Sequence, residues 1–103
     1  MAVLEITSID HLDQVLHHDV AVVTFGATWC APCRDFLTVL KGLAVVYPKV
    51  VFAKVDIDKV PCMGIRQVPT TKVFVREEHV KTYVGSSVRD DVVSLLDKVE
   101  DPS

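Results

Sequence analysis

Apolar residues along this chain follow two patterns, one typical of strands and one typical of helices. Residues 20–25 and 50–55 are apolar runs of strand length without regular polar alternation, which is typical of strands buried on both faces of a sheet. Elsewhere apolar residues recur at spacings of three and four, which predicts helices with one buried face. In the first such segment they are Ile9, Leu12, Val15 and Leu16.

Hydroxyl side chains mark the starts of the first and last predicted helices. Thr7 or Ser8 is placed to cap the first helix, which we expect to end near His18. Ser86 or Ser87 is placed to cap the last helix. The apolar residues of that helix are Val88, Val92, Leu95, Leu96 and Val99.

The longest helix is predicted to follow the segment 29–33 directly. Pro48 marks its end, because the residue before a proline avoids the helical conformation. Its apolar residues recur at helical spacing and are Phe36, Leu37, Leu40, Leu43, Ala44 and Tyr47.

Further strands are predicted at residues 2–6, 71–75 and 80–84, with a loop or short helix over 56–65 and an exposed turn without chemistry over 76–79. The resulting order β-α-β-α-β-(short α)-β-β-α predicts an α/β fold. In it a central mixed sheet of about five strands is sandwiched by helices on both faces. The early crossovers require parallel pairing, whereas the last two strands suit an antiparallel hairpin.

Composition narrows the classes of protein to consider. The chain has 103 residues, half of them apolar, and a formal net charge of -3 with acidic and basic residues interleaved. We therefore expect one domain over residues 1–103 and no nucleic-acid partner. The sequence has no membrane-length apolar run and no secretion-signal pattern at its start. From this we expect a cytoplasmic protein without a membrane partner.

A Cys-x-x-Cys pair at the start of the longest helix is the strongest chemical signal in the sequence. Cys30 would face unpaired backbone N–H groups and the positive end of the helix dipole, which favour the thiolate. We therefore expect Cys30 to be the attacking nucleophile and Cys33, one turn further on, to be the resolving thiol. Pro32 would occupy the first helical turn, where its fixed φ favours the helix start.

Other interpretations of these residues remain open. The Cys30 and Cys33 thiols could form half of a metal site, completed by Cys62 and one of the histidines. Cys62 alone could be an apolar filler, an exposed loop thiol, or a regulatory or dimer-forming group. Trp29 could provide a flat apolar docking surface or, half-buried, anchor the loop. The histidines are His11, His17, His18 and His79, and the pair at 17–18 suits a solvated helix end.

Two separated motifs give the chain a specific resemblance. The segment 29–33, Trp-Cys-Ala-Pro-Cys, follows a buried strand, and the segment 64–70, Gly-Ile-Arg-Gln-Val-Pro-Thr, lies further along the chain. Together they resemble the thioredoxin family, and the predicted element order is similar over essentially the whole chain.

The resemblance implies roles for residues beyond the cysteine pair. It implies a cis peptide bond between Val68 and Pro69 facing the cysteines, with the Val68 backbone pairing to an extended substrate segment. It also places Gly85 beside this groove and matches Lys54 to a buried lysine near the active site. Without its usual carboxylate partner, Lys54 could equally extend its ammonium group to solvent.

The sequence departs from the family pattern in three places. Ala31 stands where the family usually has glycine. Thr24 stands where the family has a buried aspartate that helps to deprotonate the resolving thiol. Since a threonine hydroxyl cannot act as a carboxylate base, Lys54, water or the leaving thiolate must handle that proton, or the reaction must be slower. The segment 58–69 is also shorter than usual.

The resemblance also implies a function. We expect a monomer that reduces protein disulfides through a redox-active Cys30–Cys33 disulfide, without a bound cofactor. A thioredoxin reductase or a similar electron donor would then reduce that disulfide again. The alternatives are an oxidase or isomerase that runs the same exchange in the opposite direction, and a non-catalytic binding adaptor.

Overall fold

The computed structural model describes residues 3–61 and 64–100, with the backbone alone at residue 100. The described residues form five strands and three helices in an α/β arrangement, as the sequence predicts. In chain order they are β1 (Leu4–Ile6), α1 (Ile9–Leu16), β2 (Val20–Gly26), α2 (Ala31–Val46), β3 (Val51–Asp56), β4 (Thr70–Val75), β5 (Glu78–Val84) and α3 (Arg89–Glu100).

The five strands form one mixed sheet in the order β1-β3-β2-β4-β5. Strand β3 pairs in parallel with both β1 and β2, whereas β4 pairs antiparallel with β2 and with β5. The predicted combination of parallel crossovers and a final hairpin is therefore confirmed. The central position belongs to β2, which leads directly into the cysteine segment.

Side chains of the sheet alternate between two apolar layers, because successive residues of a strand face opposite sides. On one side Val22, Phe52 and Val73 pack against α2 and α3. On the other side Val23 and Val55 belong to a second cluster, which packs against α1. Helices therefore cover both faces of the sheet, and α2 is fixed on the first face.

Both helix caps were predicted from hydroxyl side chains, and only the first prediction is confirmed. The Ser8 Oγ accepts a hydrogen bond from the His11 backbone N–H at 3.0 Å, and α1 ends at Leu16. Helix α3 begins at Arg89, and the Val92 N–H donates to the carbonyl of Val88. The predicted caps at residues 86 and 87 are wrong, because neither serine directly precedes the helix.

The connections agree with the prediction in part. Of the predicted loop or short helix over 56–65, the described part after β3 is a loop with a turn at residues 57–59, and residues 62 and 63 lie outside the described residues. The hairpin turn is tighter than predicted, because only Arg76 and Glu77 have positive φ (51° and 71°) and β5 already begins at Glu78. The end of α1 is solvated, as predicted: His17 is 58% exposed, and its Nδ1 also lies 2.6 Å from the Glu77 carboxylate in the hairpin turn.

None of the helices formed by the described residues is long and apolar enough to cross a membrane.

Candidate active site

Cys30 and Cys33 form a disulfide at the N-terminus of α2. Cys30 is the N-cap residue with extended backbone angles (φ −96°, ψ 108°), and its Sγ accepts a hydrogen bond from the Cys33 N–H at 3.2 Å. A sulfur at this position faces the unpaired N–H groups of the first turn and the positive end of the helix dipole. Both features stabilise negative charge on the Cys30 sulfur once the disulfide is reduced.

The residues around the pair favour this helix start. Pro32 lies in the first turn, as predicted, where the lack of an N–H costs no hydrogen bond. Ala31 is the first helical residue, and alanine favours a helix more than the glycine it replaces. The incoming loop is fixed by two hydrogen bonds, from the Cys30 N–H to the Ala27 carbonyl and from Arg34 Nη1 to the Thr28 carbonyl.

The Val68–Pro69 loop packs against Cys30, a residue that is only 6% exposed. The peptide bond between Val68 and Pro69 is cis, as the resemblance implies, and the Val68 carbonyl oxygen lies 3.8 Å from Cys30 Sγ. The Gly85 N–H donates to the Pro69 carbonyl at 2.8 Å, and Gly85 has a φ of 102°, which favours glycine. The Val68–Pro69 peptide therefore lies between Cys30 and Gly85.

Trp29 presents a broad apolar surface next to the disulfide. Its side chain is 67% exposed, and its indole N–H donates to the Asp58 carboxylate at 2.9 Å. The hydrogen bond holds the ring in place from one edge and leaves the rest accessible. This arrangement fits a docking surface and not a half-buried loop anchor.

A cavity of about 280 Å³ lies on the other side of the disulfide. It brings Thr24 and Lys54, both singled out from the sequence, together with Cys33. Its other lining residues are Glu5, Gly26, Ala27, Thr28, Arg34, Leu37, Leu40, Val55, Asp56 and Lys59. Lys54 is partly buried, and this position fits its predicted place near the active site.

Gly26 brings the end of β2 into close contact with Cys33. A Cβ atom at Gly26 would lie 3.1 Å from Cys33 Sγ and 3.2 Å from Cys33 Cβ, closer than ordinary van der Waals contact. Sequence reasoning missed this residue. The only signal for it was a glycine at the end of a buried apolar run.

Thr24 is buried, as expected for the residue that replaces the family's aspartate, but it is not alone. Its Oγ1 lies 2.8 Å from Thr71 Oγ1, and the two hydroxyls satisfy each other in the core. Sequence reasoning missed Thr71 as part of the site, because the contact joins residues on two distant strands.

The two threonines belong to a row of polar residues that crosses all five strands. Register pairs Glu5 with Lys54, Lys54 with Thr24, Thr24 with Thr71 and Thr71 with Tyr83. We call these five residues the polar row. The row lies on the sheet face that carries α2 and α3, level with the cavity.

Tyr83 ends the polar row on the edge strand. Its hydroxyl donates to the Asp91 backbone carbonyl at 3.4 Å. Burial raises the pKa of Tyr83 above its usual value of 10.0, and the negative charge of Asp91 raises it further. Tyr83 therefore keeps its proton at neutral pH.

Residues 3–61 and 64–100 contain no group of ligands for the alternative metal site. Within those ranges no three His, Cys, Asp or Glu side chains lie close enough to hold a metal ion. The interpretations of Cys62 concern a residue outside the described ranges.

The family model and the relatives that match this chain all point to one family. A family model described as Thioredoxin matches residues 2–98. Thioredoxin-3 of Dictyostelium discoideum is 38% identical over 82% of this chain and 86% of that protein. The thioredoxin of Staphylococcus aureus is 33% identical over 95% of this chain and 98% of that protein.

Solved structures give the same result for the fold. A thioredoxin mutant from Halobacterium salinarum superposes with a TM-score of 0.88 at 29% identity, over 99% of this chain and 94% of that chain. Plasmodium falciparum thioredoxin superposes with a TM-score of 0.84 at 30% identity, over 93% and 98% of the two chains.

Proposed function

This chain belongs to the thioredoxin family and is a thiol–disulfide oxidoreductase that reduces protein disulfides; from that premise we propose that Cys30 attacks the substrate and that Cys33 releases it. The observation that carries the proposal is the position of Cys30 at the N-cap of α2, where its sulfur accepts the Cys33 N–H at 3.2 Å. The same position favours the thiolate and lowers the energy of the attacking form.

The reaction proceeds in two exchanges. The Cys30 thiolate attacks one sulfur of the substrate disulfide, so that a mixed disulfide forms and one substrate thiolate leaves. Cys33 then loses its proton and attacks Cys30 Sγ, which forms the Cys30–Cys33 disulfide and releases the second substrate thiolate. The substrate gains the two electrons that the cysteine pair loses, and its two thiolates take up protons from solvent.

The substrate would bind as an extended segment against the Val68–Pro69 loop. Two features support the proposal: the exposed Trp29 ring next to Cys30 in the chain, and the Gly85 N–H, which donates to the Pro69 carbonyl of that loop. Backbone hydrogen bonds to Val68 would position the substrate disulfide over Cys30 without selecting a particular side chain. A wide range of protein disulfides would therefore be accepted.

We place the protein in the cytoplasm, as a monomeric electron carrier in cell redox homeostasis that uses no cofactor beyond its own disulfide. A flavoprotein thioredoxin reductase would restore the dithiol. Pro32 between the cysteines supports this direction, because oxidants and isomerases of similar fold often carry histidine there.

The equilibrium reduction potential of the Cys30–Cys33 pair tests the direction of electron flow. It is measured in dithiothreitol or glutathione buffers with Cys62→Ser, so that a single pair titrates. We expect a reduction potential of about −270 mV, which is typical of a reductant. A value near about −120 mV would identify an oxidant and overturn the proposed direction.

A further inference from the structure

The resolving step requires Cys33 to lose a proton, and the central strand offers no carboxylate to take it. Thr24 occupies that position, and its hydroxyl is bonded to Thr71 at 2.8 Å in a buried, neutral pair. A threonine hydroxyl cannot accept the proton at neutral pH. The proton therefore goes to another group around Cys33 or to the leaving thiolate.

The cavity side of Cys33 holds one carboxylate in a suitable position. Asp56 ends β3, and register pairs it directly with Gly26 on β2. The two-residue alternation of β3 places Asp56 on the same face of the sheet as Phe52, which packs against α2. Gly26 has no side chain and lies against the Cys33 sulfur, so residue 26 does not screen Asp56 from Cys33.

The cavity itself provides the path between the two groups. Cys33 and Asp56 both line it, and its volume of about 280 Å³ exceeds the space that one ordered water needs, roughly 10–15 Å³ on the same measure. Polar groups of Thr24 and Lys54 also line it and can hold such water. Water in this cavity can therefore connect the thiol with the carboxylate.

The turn after β3 orients the carboxylate. Asp56 Oδ1 accepts a hydrogen bond from the Asp58 backbone N–H at 2.9 Å. This bond fixes the side chain and leaves Oδ2 for cavity water. Glu5 lines the same cavity but belongs to β1, which pairs with β3 and not with β2, so it lies one strand further from Cys33.

We propose that Asp56 is the general base for the resolving step and accepts the Cys33 proton through a water molecule in the cavity. The Cys33 S–H transfers its proton to the water as the water transfers one to the Asp56 carboxylate. The Cys33 thiolate then attacks Cys30 Sγ, and the substrate thiolate leaves and takes up a proton from solvent. Asp56 returns its proton to solvent through the open cavity. The proposal rests on the roles given above to Cys30 and Cys33.

The test measures the two exchanges separately. In single-turnover experiments with reduced protein and a peptide disulfide, acid quenching at successive times follows the mixed disulfide by mass spectrometry. The variant is Asp56→Asn, which keeps an oxygen for the Asp58 N–H but cannot accept the proton. We expect the rate of the resolving step to fall at least tenfold at pH 7. General bases typically contribute about 10²–10⁴-fold, so this is a modest share.

The pH profile distinguishes a base from a structural role. In the unchanged protein the resolution rate should depend on the ionisation of a carboxylate, and Asp56→Asn should remove that dependence. Formation of the mixed disulfide, measured with Cys33→Ser, should be the same with and without Asp56→Asn. The matched control is Glu5→Gln, which removes a carboxylate from the far rim of the same cavity and should leave both rates within about twofold.

A second variant tests the chemistry independently. Adding Thr24→Asp to Asp56→Asn restores a carboxylate on the central strand and should recover the resolution rate. If Asp56→Asn does not fold, Asp56→Ser replaces it, because a serine hydroxyl can still accept the turn hydrogen bond. Wild-type resolution with an unchanged pH profile in the Asp56 variant would overturn the proposal. A Cys33→Ser protein that forms no mixed disulfide would instead contradict the proposed function itself.

Discussion

The two sulfurs of one disulfide occupy opposite environments. The substrate side, formed by Cys30, Trp29 and the Val68–Pro69 loop, encloses a cysteine that is 6% exposed, and backbone groups provide the polar contacts of that cysteine and of the loop. The cavity side, formed by Cys33, Gly26, Thr24 and Asp56, is open, and side chains provide its polar groups. Backbone contacts tolerate sequence change. Recognition can therefore stay constant in this fold while the residues that handle the proton vary.

Replacing either cysteine with serine should have the largest effect, and the effect should differ between the two sides of the disulfide. Cys30→Ser removes the nucleophile and should lower disulfide reduction by a factor on the order of 10³ or more. In Cys33→Ser the Cys30 thiolate should still attack the substrate. Because no second thiol releases the substrate, a covalent mixed disulfide should accumulate. Insulin reduction measures the first result and mass spectrometry the second. An unchanged rate in Cys30→Ser would show that the two sides have been assigned in the wrong order.

Filling the cavity side next to Cys33 should destabilise the oxidised protein. In Gly26→Ala the new Cβ would lie 3.1 Å from a sulfur that the disulfide holds in place, and such overpacking typically costs about 1–3 kcal/mol. The matched control is Gly42→Ala in α2, where no atom lies within 4 Å of the new Cβ. The control should stabilise the helix by roughly 0.5–1 kcal/mol. Chemical denaturation of both variants measures the difference, and equal effects would contradict the close approach.

The hydroxyl pair behind the cavity should show strong coupling. Thr24→Val leaves the Thr71 hydroxyl buried without its partner, at a cost of about 1–3 kcal/mol in the free energy of unfolding. Thr71→Val should cost a similar amount. The double variant removes both polar groups and should return close to the wild-type stability. Additive losses in this double-mutant cycle would show that the two hydroxyls are not each other's partners.

The smallest expected effect lies at the end of the polar row, remote from both sides of the disulfide. The pKa of Tyr83 is raised in the folded protein, so the linked stability is fully present below pH 10.0 and is lost as the pH rises through the folded pKa. Tyr83→Phe should remove this alkaline decline without changing disulfide reduction at pH 7. Unfolding curves between pH 8 and about 11 measure it. The same decline in the variant would assign the effect to another group.

Much of the fold followed from local sequence patterns. The buried run at 20–25 gave the central strand, and helical spacing with Pro48 gave α2 and its end. Local sequence also predicted the helix start at Ala31 and the N-cap position of Cys30, because both depend on neighbouring residues. It did not predict the cap of α3, because Ser86 and Ser87 both suit a helix start while the helix actually begins at Arg89.

The cavity side depended on pairings between distant strands, which no local pattern encodes. Thr24 and Thr71 meet only because β2 and β4 are antiparallel in one particular register. Asp56 lies beside Gly26 only through the parallel pairing of β3 with β2. The resemblance to a family showed that Thr24 replaces an aspartate, but it could not show which residues surround Thr24.

The polar row also bears on how reliably the sheet assembles. A slip of one residue in β4 would bring Thr70 or Lys72 opposite Thr24, turn Thr71 toward the apolar cluster under α1 and leave the Thr71 hydroxyl without its partner. Each buried unpaired hydroxyl costs about 1–3 kcal/mol, whereas the valines on either face would tolerate the exchange far better. The hydroxyl pair thus selects the correct alignment against competing misfolded arrangements. It adds to the specificity of folding in a sheet whose apolar residues alone are nearly interchangeable.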